Sequence, residues 1–194
     1  MTSLKLVQLL QKLAKDHHKR LFTLRDMAAL ADEPRTAAAM TLVRAAKKGL
    51  VGRVGNLWIN LMDPPELLEV ALALPSPSYL SFESALYHRG VLSQSPRGEL
   101  TLATTGRSRS LQTPLGSIRM IHLKPSLFFG FDERRGAFPE KAWLDLLYLR
   151  GRKGRTGLVT EELYLGGLDR KRLKKFARAF PDWMKKFPDF QGRR

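Results

Sequence analysis

Five side chains in one short stretch, Arg35, Thr36, Met40, Arg44 and Lys47, carry the clearest chemistry in the sequence. On a helical wheel Thr36, Met40, Arg44 and Lys47 share one face with Arg35 at the start, and Ala38, Leu42, Ala45 and Ala46 share the other. A guanidinium can read a guanine edge or grip a phosphate. A threonine hydroxyl can bond a base edge or a phosphate, and a methionine can touch a thymine methyl. The pattern predicts a helix offering these groups to a DNA major groove, with Arg53 nearby for phosphate or the minor groove. A second group is Gly106-Arg107-Ser108-Arg109-Ser110, where Arg107 and Arg109 can converge on an anion or on a partner's carboxylate. The basic loop Arg150 to Arg155 has similar potential. In the tail, Arg170, Lys171, Lys174, Lys175 and Arg178 alternate with Leu173, Phe176, Ala177 and Phe180. That predicts an outward basic face suited to nonspecific phosphate contacts, or simply to solvent.

Other candidates carry less. Glu83 and His88 stand five apart, on different faces of a predicted helix, so they form no acid-base pair. The chain has no cysteine, and its four histidines, His17, His18, His88 and His122, are too scattered for zinc spacing. The sequence therefore predicts no metal, no cofactor and no catalytic residue.

Charge points to a polyanion. The 194 residues hold 34 Lys and Arg against 18 Asp and Glu, a net +16, with a hydrophobic fraction of 43% that suits a folded core. The excess sits at the two ends: residues 1–63 carry +6, 64–150 carry +2 and 151–194 carry +8. No apolar run is long enough to span a bilayer and no signal peptide opens the chain, so a cytoplasmic protein with no membrane partner is expected.

The elements that must position these groups follow from periodicity and punctuation. Apolar residues from Leu4 to Ala14 predict a first helix over Ser3–Asp16, with His17 and His18 in the turn after it. Thr23 caps a second helix, Leu24–Ala31. Asp32-Glu33-Pro34 breaks the pattern, and a third helix, Arg35–Lys48, ends at Gly49. Two β-prone runs, Leu50–Val54 and Leu57–Asn60, flank the turn dipeptide Gly55-Asn56. The sum is a winged helix-turn-helix. Asp63-Pro64-Pro65 then marks a boundary, predicting a DNA-binding domain at 1–63 and an α+β domain at 64–194. The second domain is expected to hold helices over Glu66–Leu74 and Ser81–His88, the latter capped by Ser81 or Ser78. Strands at Leu100–Thr104 and Ser117–Leu123, turn chemistry between them, and a core segment or short strand at Phe128–Phe131 should follow. A helix from Pro139 and further helices at Thr160–Leu165, Asp169–Phe180 and Asp182–Phe187 complete it.

Four runs in the middle of the chain occur in a telling order: Tyr79-Leu80-Ser81-Phe82-Glu83-Ser84-Ala85-Leu86-Tyr87-His88-Arg89-Gly90, Thr104-Thr105-Gly106-Arg107-Ser108-Arg109, Thr113-Pro114-Leu115-Gly116, and His122-Leu123-Lys124-Pro125-Ser126-Leu127-Phe128-Phe129-Gly130. Over residues 5–150 the chain resembles the AbiEi family of antitoxins and transcriptional regulators from bacterial type IV toxin-antitoxin systems. That resemblance implies a winged helix joined to an antitoxin domain. It also implies a repressor that binds inverted repeats of double-stranded DNA in its own promoter, opposing a nucleotidyltransferase-like toxin without a stable complex. The expected function is accordingly non-enzymatic. A nucleic-acid-processing or RNA-binding enzyme with a basic C-terminal domain is the second reading, and a protein-docking winged helix the third.

Overall fold

The structure, a computed structural model, describes residues 3–16, 19–94, 98–152, 163–186 and 190. The chain divides into two compact units, Met1–Pro75 with Leu111–Gly116, and Ser76–Ser110 with Ser117–Arg194. Both mix helices with a small sheet, so the fold class is α+β.

The first unit runs α1 (Ser3–Lys15), β1 (Leu21–Thr23), α2 (Leu24–Ala31), α3 (Arg35–Lys47), β2 (Val51–Val54), β3 (Leu57–Asn60) and α4 (Leu67–Ala73). The helices predicted from Ser3, Leu24 and Arg35 form almost as spaced. Leu6, Leu10 and Leu13 of α1, Met27 of α2, and Ala38, Leu42 and Ala45 of α3 close one core with Phe22, Val51 and Trp58. The three strands form an antiparallel sheet of order β1-β3-β2, in which Phe22 faces Trp58 and Val54 faces Leu57. Only Gly55 and Asn56 separate β2 from β3, and Gly55 takes φ +60, the left-handed first position that a tight hairpin turn demands. Strand β1 was not predicted, because three residues ahead of a cap offer no alternation to read. Ala46 of α3, expected on the inner face, is exposed. It lies at the edge of the wheel's apolar arc. The expected break at Pro64-Pro65 stops regular structure, yet the compact unit continues to Pro75 and includes α4, whose Val70 and Ala71 are buried.

Helix α2 is capped from both sides. The Thr23 hydroxyl accepts from the Asp26 amide at 3.2 Å, and the Asp26 carboxylate accepts from the Thr23 amide at 2.7 Å. Partial burial pushes the Asp26 carboxyl up. Hydrogen bonds from the Thr23 amide and hydroxyl, and from Lys19, outweigh it and hold the group below its ordinary value. A depressed carboxyl stabilises the fold above the ordinary range, and that contribution is lost as pH falls through the folded value. Thr23→Ala should destabilise the protein by about 1 kcal/mol in urea unfolding at neutral pH. An unchanged midpoint would mean that water caps the helix equally well.

The remaining elements are β4 (Ser78–Leu80), α5 (Phe82–His88), β5 (Glu99–Thr104), β6 (Arg109–Thr113), β7 (Gly116–His122), α6 (Pro139–Arg152) and α7 (Arg170–Ala177), with short 3-10 turns at Pro125–Leu127, Leu165–Gly167 and Asp182–Lys186; all belong to the second unit except Leu111–Thr113 of β6 and Gly116 of β7, which group with the first. These strands form a sheet of order β4-β5-β7-β6, with β4 antiparallel and β7 parallel to β5. Several expectations change here. Residues Arg109 to Thr113, read as turn and anion loop, form the edge strand β6; Arg109, Ser110 and Gln112 are all exposed, so hydrophobic alternation never marked it. Ser81 stands at the N-cap of α5 without capping it, because its hydroxyl donates to Asp145 instead. Phe128–Phe131 is irregular apart from a bridge between Phe131 and Ala137. The segment from Arg150 stays helical to Arg152, while Lys153 to Arg155 lie outside the described residues. So do His17, His18, Thr160 to Glu162 and Phe187, on which other expectations fell.

Candidate nucleic-acid interface and anion cleft

Burying Ala38, Leu42 and Ala45 turns the rest of α3 outward. Arg35, Thr36, Met40, Arg44 and Lys47 are all exposed, joined by Val43. In contrast to α2, this helix begins at Pro34 with no side-chain cap, and its first turn holds a basic residue rather than an acidic one. Its first amides and Arg35 together favour an incoming anion. On β2, Arg53 is exposed, with its guanidinium 5.5 Å from the Trp58 ring centre and its Nε donating to the Gly55 carbonyl at 3.2 Å. The hairpin thus holds that cation in place.

In the second unit, Arg107 and Arg109 are exposed but occupy different settings. Arg107 lies in the irregular stretch between the bend at Thr105–Gly106 and β6. Arg109 opens the strand, where its Nε contacts the Met120 sulfur at 3.2 Å and a terminal nitrogen reaches the Ser76 hydroxyl at 3.3 Å. It lines an open cleft of about 610 Å³ with Arg119 and His122 of β7 and Arg152 of α6, where Met120 and Leu149 are also among the lining residues. Arg107 is not among its lining residues, so the two arginines do not converge on this cleft. Sequence reasoning missed Arg119 as a partner, although it alternates with the buried Ile118 and Met120 along β7.

The tail cations behave as its periodicity suggested. Arg170, Lys171, Lys174, Lys175 and Arg178 are exposed while Leu173 is buried. Asp169 caps α7, accepting from the amides of Lys171 at 2.8 Å and Arg172 at 3.1 Å, and those bonds hold its carboxyl below the ordinary range. Arg172 instead lies partly exposed over the Phe138 ring at 4.6 Å, near the buried Glu140.

A cluster that the sequence reading did not single out lies inside the second unit. Lys141 and Asp145, one turn apart on α6, form an ion pair with both side chains fully buried. Lys141 also donates to the Tyr79 hydroxyl at 2.7 Å; Tyr79 at 2.8 Å and Ser81 at 2.7 Å donate to the other Asp145 oxygen. The rings of Tyr79, Phe129 and Phe180 surround the ammonium at 5.1 to 5.2 Å. Gly130, at φ +75, brings backbone so close that a Cβ there would sit 2.9 Å from Lys141 Cγ. Burial pushes the Asp145 carboxyl up and the Lys141 ammonium down, against their mutual attraction. Burial and the neighbouring carboxylate also raise the Tyr79 phenol. Tyr79, Ser81, Phe129 and Gly130 all fall within the runs that carry the family resemblance.

No protein-family model and no curated protein matches the sequence. Among solved structures, the crystal structure of RV2827C protein from Mycobacterium tuberculosis is similar, with a TM-score of 0.59 over 95% of this chain and 76% of that one, at 15% identity. That likeness shows the fold. Among the described residues, no helix is long and apolar enough to cross a membrane, and no group of three or more His, Cys, Asp and Glu residues could hold a metal ion.

Proposed function

We propose that the first unit is a winged helix-turn-helix that binds double-stranded DNA at inverted repeats in its own promoter, and that the chain is an AbiEi-type repressor and antitoxin. The observation that carries this reading is the outward face of α3, with Arg35, Thr36, Met40, Arg44 and Lys47 exposed together. Supporting it are the order of α2, α3 and the β2–β3 hairpin, the anchored Arg53 on that hairpin, and the net +16 of the chain. The antitoxin half rests on the sequence resemblance, with Arg107 and Arg109 as its anion- or carboxylate-binding residues opposing a nucleotidyltransferase-like toxin.

The test is a titration of the full chain against DNA from the region upstream of its own gene and against a scrambled duplex of equal length and base composition. At one fixed salt concentration the natural duplex should bind at least about a thousandfold more tightly. Equal affinity would overturn the reading. The tail adds a second expectation, since phosphate contacts act alike on every sequence. Replacing Arg170, Lys171, Lys174 and Lys175 by Gln should flatten the slope of log affinity against log salt by up to about 3 to 4, while the specific-to-nonspecific ratio stays put. An unchanged slope would assign those cations to solvent.

A further inference from the structure

We propose that the cleft beside β6 and β7 binds a mononucleotide, its phosphate held by Arg109, Arg119 and Arg152 and its base lying against the apolar lining. This builds on the anion-binding role given to Arg109 and is independent of DNA binding by the first unit. The volume, about 610 Å³, suits one small ligand rather than a duplex or a folded chain. Three guanidinium groups from two strands and one helix line it with His122, and no carboxylate does. Planar guanidiniums match the oxygens of a phosphate in a way that single ammonium charges do not.

The lining side chains are also held. Arg109 is tethered to Ser76 and Met120, and the Arg152 guanidinium sits 5.7 Å from the Tyr148 ring centre. The Nδ1 of His122 lies 2.9 Å from the Gly106 carbonyl. A carbonyl only accepts, so Nδ1 carries the proton and Nε2 is left to a ligand. Arg119 is shared: its terminal nitrogen lies 3.5 Å from Glu99, a half-exposed pair that an incoming phosphate would compete with. Met120, Ile121 and Leu149 also line the cleft, and guanidinium planes stack readily on a base.

Calorimetric titration of the full chain with adenosine 5′-monophosphate, inorganic phosphate and adenosine tests this. The monophosphate should bind saturably and at least about tenfold more tightly than either of the others, because only it engages both cations and apolar lining. Arg109→Gln and Arg152→Gln should each weaken it about tenfold. Glu99→Gln, which releases Arg119, should tighten it severalfold. Arg134→Gln, an exposed cation outside the cleft, should leave it unchanged. All four positions are exposed or partly so, and thermal melts of the variants confirm that the fold is retained. Adenosine binding as tightly as its monophosphate would overturn the proposal. So would a monophosphate no tighter than inorganic phosphate, or a loss at Arg134 equal to that at Arg109. Operator affinity, measured on the same variants, should not move, so failure here and failure of the DNA-binding reading are told apart.

Discussion

Lys141→Met should unfold at markedly lower urea than the natural chain, with about 3 to 5 kcal/mol of stability lost at neutral pH. Removing the ammonium leaves Asp145 as an uncompensated charge at 0% exposure, solvated by the Tyr79 and Ser81 hydroxyls. Asp145→Asn strands the ammonium in the same way and should cost a similar amount. The double replacement Lys141→Met with Asp145→Leu removes both charges and should recover part of the loss. Recovery stays incomplete because the Tyr79 and Ser81 hydroxyls lose their acceptor, at about 1 to 3 kcal/mol. Acidity supplies an independent check. The Asp145 carboxyl already lies above its ordinary 3.8 through burial, and losing Lys141 removes the principal opposing influence. A raised folded value means that the folded state binds the proton more tightly, so stability is greatest below the unfolded value and declines as pH rises. Lys141→Met should therefore regain stability relative to the natural chain as pH falls from 7 toward about 4. Strictly additive single and double losses, with no pH-dependent recovery, would show that the pair is not coupled.

That cluster marks the limit of what the sequence made legible. Opposite charges one helical turn apart ordinarily sit in water, where they add a few tenths of a kcal/mol. Nothing local to α6 says that Lys141 and Asp145 are enclosed; the enclosure comes from Phe129 and Phe180, which are distant in sequence from Tyr79 and from each other. The motif runs did hold a signal, for Tyr79, Ser81, Phe129 and Gly130 belong to them, but spacing does not disclose which side chains face one another. Strand β6 shows the opposite failure. Its polar residues satisfy an exposed sheet edge, where charged and polar side chains deter further pairing, and so erase the alternation by which strands are read. Local rules sufficed where local interactions decide: Thr23 and Asp26 cap α2, Gly55 turns the hairpin, and three apolar positions orient α3. The anion cleft falls between these cases, since Arg109 was legible from its motif but Arg119 and Arg152 join it only once β7 and α6 are placed.

On α3 the local reading leads to the second large effect. Thr36→Ala and Arg44→Ala should each weaken operator binding by about 1 to 3 kcal/mol, and together by a hundredfold or more at one fixed salt concentration. Both positions are exposed, and neither side chain belongs to the core built on Ala38, Leu42 and Ala45, so thermal stability should change little. Base contacts and phosphate contacts separate in the same titrations. If Arg44 reads a guanine edge, its loss relaxes preference at one base pair and leaves other positions intact. If it grips the backbone, affinity falls equally on all sequences and the salt slope drops by about 0.9. Arg53→Ala should follow the second pattern, because the Trp58 ring and Gly55 carbonyl hold its guanidinium on the hairpin. Footprints unchanged in the Thr36 and Arg44 variants would remove α3 from the groove. The exposed Met40 and Val43 would then favour a protein partner, since apolar groups on an otherwise cationic helix are better explained by a surface that buries them.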